Sequence, residues 1–206
     1  MEKKEGKSTK EKILDAMMEL VATEGYQGAS MRKIARLVGI RESAIYNHFR
    51  NKEAIFEEIV KGLFSSAFDD FFARRPIEEA ALKGKRFLKE FVMAYKLVAF
   101  DPKHEKLFRI ILIEMMRNQK VRELFLTHFY DENIKRLSTA FFVMMQNDLV
   151  RSEDPKMMAY EFLAPLFSMR LQIALLRLDG KPTTALSTIF ERHVDFFWEG
   201  VGVEKE

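Results

Sequence analysis

Side chains of the kinds that contact DNA are concentrated in residues 30–52. This segment carries six basic residues and a single acid, whereas the whole chain of 206 residues has a net charge of only +3. Tyr46, Asn47 and His48 follow one another there; an asparagine amide can read adenine in the major groove, and a tyrosine hydroxyl can bind a phosphate. Lys52 stands where a following helix would begin, and a helix start favours phosphate. The segment therefore has the chemistry of a DNA-contacting element.

Three helices would be needed to position these side chains. Ser30 has the residue type of a helix cap, and Gly39 allows a sharp turn between two helices, which is the layout of a helix-turn-helix. Tyr46, Asn47 and His48 would lie on the second of these two helices. The preceding stretch, Ser8 to Gly25, has the apolar spacing of one helix and a capping-box pair at Ser8 and Glu11. This first helix could support the pair, so the sequence predicts a three-helix DNA-binding unit.

The remainder of the chain also has a helical pattern, without strand-type alternation. Asn51 is a plausible cap for a helix to about Ala73, and Pro76 marks a break. Asp101-Pro102 and Asp154-Pro155 each combine a cap with a proline at the first helical position. Further helices are predicted over 77–100, 103–117, 120–148, 155–178 and 184–200. We expect an all-α protein of about nine helices, with a DNA-binding domain over 1–52 and a larger ligand-binding and dimerisation domain over 53–206.

Three stretches resemble the N-terminal domain of the TetR family of transcriptional repressors. TKEKILDAMMELVATEGY resembles that family's opening helix, SMRKIARLVGI its second helix and turn, and AIYNHFRNKEAIF its recognition helix and the start of the fourth helix. Beyond about residue 60 the chain resembles the family only in its helical layout. The resemblance implies a regulator that binds DNA through this N-terminal region.

The resemblance also implies roles for individual residues. Ser30 and Lys52 match positions that usually contact phosphates, and Tyr46 matches the aromatic residue that usually grips the DNA backbone. Bases and nearby phosphates would be approached by Arg41, Glu42, Ala44, Asn47 and His48. We expect Arg32, in the same basic segment, to contact DNA as well.

The pair Arg41-Glu42 departs from the family pattern. Related sequences often have serine or threonine at the first position and a basic or small residue at the second, so the usual cap is absent here and an acid faces the groove. Glu42 can accept a hydrogen bond from cytosine N4 and so specify a base. Alternatively, it only stabilises the positive end of the helix dipole.

In this family the C-terminal helices form a dimer and enclose a ligand. Two apolar stripes on the last two predicted helices are candidates for the dimer interface: Phe162, Leu166, Met169 and Ile173 on one, and Ile189, Phe190 and Phe197 on the other. A two-fold dimer would match a palindromic operator. The alternative is that either stripe belongs to the core of a single chain.

Aromatic and methionine residues are unusually frequent between residues 87 and 148. A pocket that they line would take a hydrophobic or amphipathic molecule, such as an acyl chain or a flat aromatic compound. The expected ligand-contacting residues, including three with polar groups, are Phe91, Tyr95, Phe108, Arg109, Met115, Phe129, Asn133 and Phe141.

Several classes of function lack the residues that they need. The chain has no cysteine and only four scattered histidines, so no metal-ligand spacing is recognisable. No nucleophile–base arrangement and no phosphate loop is recognisable either. We expect no enzyme activity, no cofactor and no metal. There is no long apolar run and no signal-peptide pattern, so we expect a cytoplasmic protein that does not bind membranes.

We therefore expect a ligand-responsive repressor. Its partners would be a double-stranded DNA operator, a small hydrophobic effector and a second copy of the chain. Two alternatives remain open: an activator, and an architectural helical DNA-binding protein without a small-molecule effector.

Overall fold

The computed structural model describes the backbone of residues 7–73 and 76–203, and the side chains of residues 7–62 and 76–203. The described residues are helical and form no β-strand; one isolated antiparallel bridge joins Val150 to Gly202. This confirms the predicted all-α class. The helices are α1 (Thr9–Gly28), α2 (Met31–Val38), α3 (Glu42–Ile45), α4 (Lys52–Ala73), α5 (Ile77–Ala81), α6 (Lys85–Phe100), α7 (Pro102–Arg117), α8 (Gln119–Phe125), α9 (Glu132–Gln146), α10 (Pro155–Leu178) and α11 (Thr184–Val201), with a π-helical segment, Leu126–Asp131, between α8 and α9.

Apart from Ser30 of the helix-turn-helix, side-chain caps start four helices at the predicted positions. Ser8 and Glu11 form a complete capping box, in which Ser8 N–H donates to Glu11 Oε2 at 2.8 Å and Glu11 N–H donates to Ser8 Oγ at 3.2 Å. Asn51, Asp101 and Asp154 each accept a hydrogen bond from a backbone N–H in the first turn that follows, at 2.9, 2.8 and 2.8 Å respectively. These bonds satisfy amides that a helix start otherwise leaves free.

Two of the predicted helices are each divided in the structure. The predicted helix over 77–100 is interrupted before α6 by Gly84, which has a positive φ of 55°. A β-carbon on Gly84 would lie 3.1 Å from the Trp198 ring, so both the backbone conformation and the packing favour glycine. The predicted helix over 120–148 contains the π-helical segment between α8 and α9.

The chain divides into two compact units. The first unit comprises the residues up to Gly62 together with Ile110–Phe125, and the second comprises Leu63–Arg109 and the residues from Leu126 onward. Helix α7 is therefore shared, since its N-terminal half belongs to the second unit and its C-terminal half to the first. The predicted domain boundary between residues 52 and 53 remains a prediction.

Each unit has its own apolar core. In the first unit the fully buried side chains include Ile13, Met17, Ile34, Ile45 and Ile55. In the second unit phenylalanine dominates, and the rings without solvent exposure are Phe87, Phe91, Phe108, Phe129, Phe141, Phe162 and Phe190. Among the described residues, no helix has both the length and the apolar character that are needed to cross a bilayer.

Candidate nucleic-acid interface and buried aromatic clusters

The helix-turn-helix begins at Ser30, whose Oγ accepts a hydrogen bond from the Lys33 N–H at 3.3 Å and so caps α2. Gly39 ends α2 with a φ of 76°, and its N–H donates to Ala35 O at 3.0 Å. This left-handed conformation is readily adopted by glycine. Helix α3 then starts after Arg41, which provides no side-chain cap, as the sequence indicated.

Tyr46, Asn47 and His48 follow α3 rather than lie on it. Helix α3 ends at Ile45, and the N–H groups of His48 and Phe49 both donate to Ile45 O at 2.9 Å. The buried side chains of Ile45 and Phe49 anchor this turn from beneath, whereas the three polar side chains are exposed, Tyr46 to 52%. The prediction that they lie on the second helix is therefore wrong, but they form an accessible surface directly after it.

The other expected DNA-contacting side chains surround this turn. Arg32, Arg41 and Glu42 are exposed, whereas Ser30 and Ala44 are half-buried. Glu42 lies in the first turn of α3, so its carboxylate is at the positive end of that short helix. Because both alternatives for Glu42 require this position, the geometry leaves them open.

Lys52 is held within the fold. Its Nζ donates to Tyr26 O at 3.1 Å and to Ala29 O at 3.2 Å, and lies 4.6 Å from the centre of the Tyr26 ring. The half-buried Lys52 side chain thus links the start of α4 to the last turn of α1 and to Ala29, which follows that helix. A phosphate contact by Lys52 remains a prediction, and the intramolecular bonds add a structural role that the sequence did not indicate.

Tyr26 is the centre of a junction between three elements of the first unit. Helix α1 loses its helical conformation at Gly25, which has a φ of 75°, and the next N–H, that of Tyr26, donates to Glu114 Oε2 at 2.9 Å. The Tyr26 ring packs against Phe56 of α4 at 4.9 Å. Burial, with a further contribution from the Glu53 carboxylate, raises the pKa of Tyr26. We call Gly25, Tyr26, Lys52 and Glu114 the Tyr26 junction.

Six of the eight expected ligand-contacting side chains are buried in the second unit: Phe91, Tyr95, Phe108, Phe129, Asn133 and Phe141. The other two differ from them. Arg109 is half-buried, and its Nε lies 2.6 Å from Glu105 Oε1. Met115 belongs to the first unit. The grouping of aromatic residues in the sequence therefore corresponds to a grouping in space for most of the set, although their role in ligand binding remains a prediction.

The first group of rings is the Phe162 cluster, composed of Phe162, Phe91, Phe141, Phe197 and His193. The other four ring centres lie 5.0 to 6.0 Å from that of Phe162. His193 Nε2 is 2.9 Å from Phe162 O, and because a carbonyl only accepts, the histidine donates. Burial lowers the pKa of His193, partly opposed by this hydrogen bond.

The second group is the Phe167 cluster, composed of Phe167, Phe108, Phe129 and Tyr130. Phe129 lies nearest, with ring centres 5.3 Å apart, and Phe108 and Tyr130 follow at 5.8 and 6.0 Å. Sequence reasoning named two of these residues and missed Phe167 and Tyr130, because helical periodicity does not tell which rings meet across helices.

A buried arginine lies beside the Phe167 cluster. Arg170 is 2% exposed, and its guanidinium carbon lies 4.4 Å from the centre of the Phe108 ring and 5.8 Å from that of Tyr95. Burial lowers the pKa of Arg170, and burial also raises the pKa of Tyr95. Arg170 interrupts an otherwise apolar stretch of α10, and its aromatic environment is evident only from the fold.

The predicted dimer stripes face inward. Five of the seven residues are buried in the chain's own core: Phe162, Leu166, Met169, Ile173 and Phe190. Only Ile189 is exposed, and Phe197 is half-buried. The physical reason is that the most apolar stripe of an amphipathic helix packs inside its own fold. The apolar side chains that α10 and α11 expose are Met157, Tyr160, Leu175, Leu178, Ile189 and Phe196.

A surface groove of about 280 Å³ lies between α6 and α11, and none of the expected ligand-contacting residues lines it. It is lined by Lys89, Val92, Met93, Lys96, Glu191, Val194 and Asp195. Ion pairs cross it, with Lys89 Nζ 3.0 Å from Asp195 Oδ1 and Lys96 Nζ 2.6 Å from Glu191 Oε1. In the part of the chain that the structure describes, no three acidic or histidine side chains are grouped to hold a metal ion.

Two family models match this chain. The model for bacterial regulatory proteins of the tetR family matches residues 13–59, which include the helix-turn-helix. The model for the C-terminal domain of AefR-like transcriptional repressors matches residues 86–199, which is more than half of the chain.

Among curated proteins, the chain is similar to the biofilm operon icaADBC HTH-type negative transcriptional regulator IcaR of Staphylococcus epidermidis. The two are 32% identical over 84 residues, which are 40% of this chain and 45% of that protein. The chain thus matches less than half the length of this relative.

Solved structures resemble the whole chain. A TetR family regulator from Pseudomonas syringae pv. tomato has a TM-score of 0.75 at 18% identity, covering 98% of this chain and all of the other. The flavonoid-responsive regulator FrrA has a TM-score of 0.69 at 22% identity, with 96% of this chain and 98% of the other covered. At such identities the likeness shows a common fold.

Proposed function

The chain belongs to the TetR family of bacterial regulatory proteins, and on that basis we propose that it is a transcriptional repressor. It binds a palindromic operator as a homodimer and releases the operator when a small hydrophobic or amphipathic molecule binds to the second unit. The observation that carries this proposal is the exposed turn of Tyr46, Asn47 and His48, which is anchored by buried Ile45 and Phe49 within a basic segment.

Recognition of DNA follows from this turn and its surroundings. Asn47 offers a donor and an acceptor that can read an adenine edge, and Tyr46 and Ser30 have hydroxyls that can bind phosphates. Arg32 and Arg41 are exposed on the same segment and add sequence-independent attraction to the DNA backbone. Since operator DNA in a bacterium lies in the cytoplasm, the cytoplasm is the proposed place of action.

The homodimer would use the exposed face of α10 and α11 in place of the buried stripes. Exposed large apolar side chains that lie on neighbouring helices commonly mark a protein interface. A two-fold axis through this face would present two recognition turns to two half-sites about 34–36 Å apart. The palindromic operator is the DNA counterpart of that symmetry.

Effector binding is proposed for the buried aromatic residues of the second unit. The Phe162 and Phe167 clusters provide apolar walls, and Arg170, Tyr95 and Asn133 provide polar groups among them. A fold shared with a flavonoid-responsive regulator supports a small organic ligand. The ligand changes DNA affinity only if it binds two conformations of the protein with different affinity.

Helix α7 is the element through which we propose that this coupling acts. Its N-terminal half carries Phe108, and its C-terminal half carries Glu114, which holds the Tyr26 N–H. A displacement of α7 would therefore act on the Tyr26 junction, where Lys52 begins α4.

The proposal is tested by footprinting and by in vitro transcription on the DNA upstream of the protein's own gene. We expect a protected region with defined edges and two-fold symmetry, and less transcript as protein is added. Protection without defined edges would favour an architectural protein, and more transcript would favour an activator. Either result would contradict the repressor.

A further inference from the structure

Asn133, in the first turn of α9, forms a hydrogen bond through only one of the two polar atoms of its side-chain amide. The side chain is 3% exposed, and its Nδ2 donates to Phe129 O at 2.7 Å. Its Oδ1 is also buried and accepts no hydrogen bond from any residue that the structure describes.

The bond to Phe129 fixes the orientation of the amide. A main-chain carbonyl only accepts hydrogen bonds, so the nitrogen of Asn133 must face it and the oxygen must point the other way. Native proteins seldom leave a buried acceptor unsatisfied, because the lost bonds to water are then not replaced. The Oδ1 of Asn133 is therefore a position at which a hydrogen-bond donor would be stabilised.

The local backbone also suggests a binding position. Phe129 belongs to the π-helical segment Leu126–Asp131, and such segments are rare in proteins and frequent at functional sites. The Phe129 ring packs against Tyr130 and Phe167, with ring centres 5.0 and 5.3 Å away. Asn133, whose Oδ1 accepts no hydrogen bond, is thus bonded through its Nδ2 to a residue of the Phe167 cluster.

We infer that the effector is a neutral aromatic molecule that donates a hydrogen bond, from a hydroxyl or an N–H group, to Asn133 Oδ1. This inference rests on the proposed effector-binding function and narrows its ligand class. Aromatic rings pack well against the edges and faces of the Phe167 cluster. A carboxylate is disfavoured at this position because it has no donor and would bring negative oxygens against Oδ1.

A pair of probes that differ in one donor tests the inference. 2-Naphthol and 2-methoxynaphthalene share the same flat ring system, but only 2-naphthol can donate from oxygen. Titration calorimetry on the full chain should show 2-naphthol binding about tenfold tighter, the factor expected for one hydrogen bond to a buried acceptor. In Asn133→Leu the two probes should bind with equal affinity, because the acceptor has been removed. If Asn133 had only a structural role, this change would weaken both probes alike and leave their ratio unchanged.

Asn147, which caps the C-terminal end of α9, provides a matched control. Its Nδ2 donates to Val143 O at 2.8 Å, the same pairing with the carbonyl four residues earlier, but at an exposed position after the end of α9. Asn147→Leu therefore removes a bond of the same kind without removing the buried acceptor. The probe ratio should remain that of the unchanged protein.

The inference is overturned if the unchanged protein binds both probes equally, as it would if a trapped water molecule already satisfies Oδ1, or if it binds neither. Should Asn133→Leu fail to fold, a crystal structure of the unchanged protein with 2-naphthol decides. The naphthol oxygen should lie about 2.8 Å from Oδ1, and an oxygen bound elsewhere overturns the inference.

Operator binding is measured on the same preparations. If specific DNA binding is retained without probe discrimination, only this inference fails, whereas an absence of specific DNA binding in the unchanged protein rejects the proposed repressor.

Discussion

At the scale of single residues, Asn47 is the side chain that we expect to read a base. It is exposed between Tyr46 and His48, on a turn whose backbone is anchored by Ile45 and Phe49. Asn47→Ala should reduce discrimination at one operator position by about 1–3 kcal/mol while leaving the affinity for random DNA unchanged. Binding to a set of single-base operator variants measures this. The exposed Asn147→Ala should retain the discrimination of the unchanged protein, and an unaltered base preference in Asn47→Ala would show that Asn47 is not a reader.

His193 should make the stability of the second unit depend on pH. Burial lowers its folded pKa below the unfolded value of about 6.5. The unfolded chain then binds more protons below that pH, so the stabilising contribution is complete above about pH 6.5 and is lost as the pH falls through the lower folded pKa. Thermal unfolding between pH 7.5 and 5 should show this loss, and His193→Gln should show less of it. Equal pH dependence in both proteins would contradict this role.

Residues whose hydrogen-bond partners lie within the same helical turn were identified correctly from the sequence, whereas residues whose partners are distant in the sequence were not. Ser8, Ser30 and Asp154 act within their own helical turn, so residue type and spacing were sufficient. Glu114 binds a backbone N–H that is 88 positions earlier in the chain, and no local pattern encodes that partner. The same reason explains why the environment of Arg170 was not predicted.

At the scale of elements, the break in α1 depends on glycine. Gly25 has a φ of 75°, and a β-carbon there would lie 3.3 Å from Glu114 Oε1. Gly25→Ala should destabilise the protein by at least about 1 kcal/mol, because a φ of 75° combined with a ψ of 167° is a backbone conformation that is strained for alanine. It should also weaken operator binding, because Tyr26 follows Gly25 and contacts Lys52, which we expect to bind a DNA phosphate. Gly62→Ala is the control: this residue is helical, and no atom of the described residues lies within 4 Å of the position of an added β-carbon, so alanine should stabilise the protein by about 0.5–1 kcal/mol. Equal unfolding temperatures for the two variants would refute the proposed role of Gly25.

Helix starts were better predicted than helix continuity. Asp101 and Asp154 marked their helices correctly, but Gly84 and the π-helical segment divide two stretches that have continuous helical periodicity. An isolated glycine is compatible with a helix, and a π-helical turn in this sequence involves neither glycine nor proline. The contact of Trp198 with Gly84, and the bond of Asn133 to Phe129, exist only after the chain has folded.

At the scale of the whole molecule, the sequence placed the proposed dimer interface on two stripes, and five of their seven residues are buried in the chain's own core. Their apolar periodicity was read correctly, but periodicity does not tell whether a stripe packs within the chain or against a partner. The exposed residues, Phe196 at 78% and Leu175 at 54%, are the better candidates.

Self-association is tested by placing a charge on that surface. Phe196→Glu should convert the proposed dimer to a monomer, because an unpaired carboxylate would be buried at the interface. It should also weaken operator binding strongly, since the two half-sites would be bound independently. Analytical ultracentrifugation measures the first effect. Met116→Glu is the control, as this residue of α7 is 74% exposed and lies outside the proposed interface. A Phe196→Glu protein that remains dimeric would assign dimerisation to another surface.

The central claim, specific operator recognition by the N-terminal unit, is tested most directly by a salt titration of DNA binding. The titration compares a duplex from upstream of the protein's own gene with a random duplex of equal length. Affinity for the upstream duplex should be at least about 10³-fold higher, and both affinities should fall as salt rises. Lys52→Ala should weaken both and reduce the salt slope by about 1. Equal affinity for the two duplexes at every salt concentration would contradict the claim.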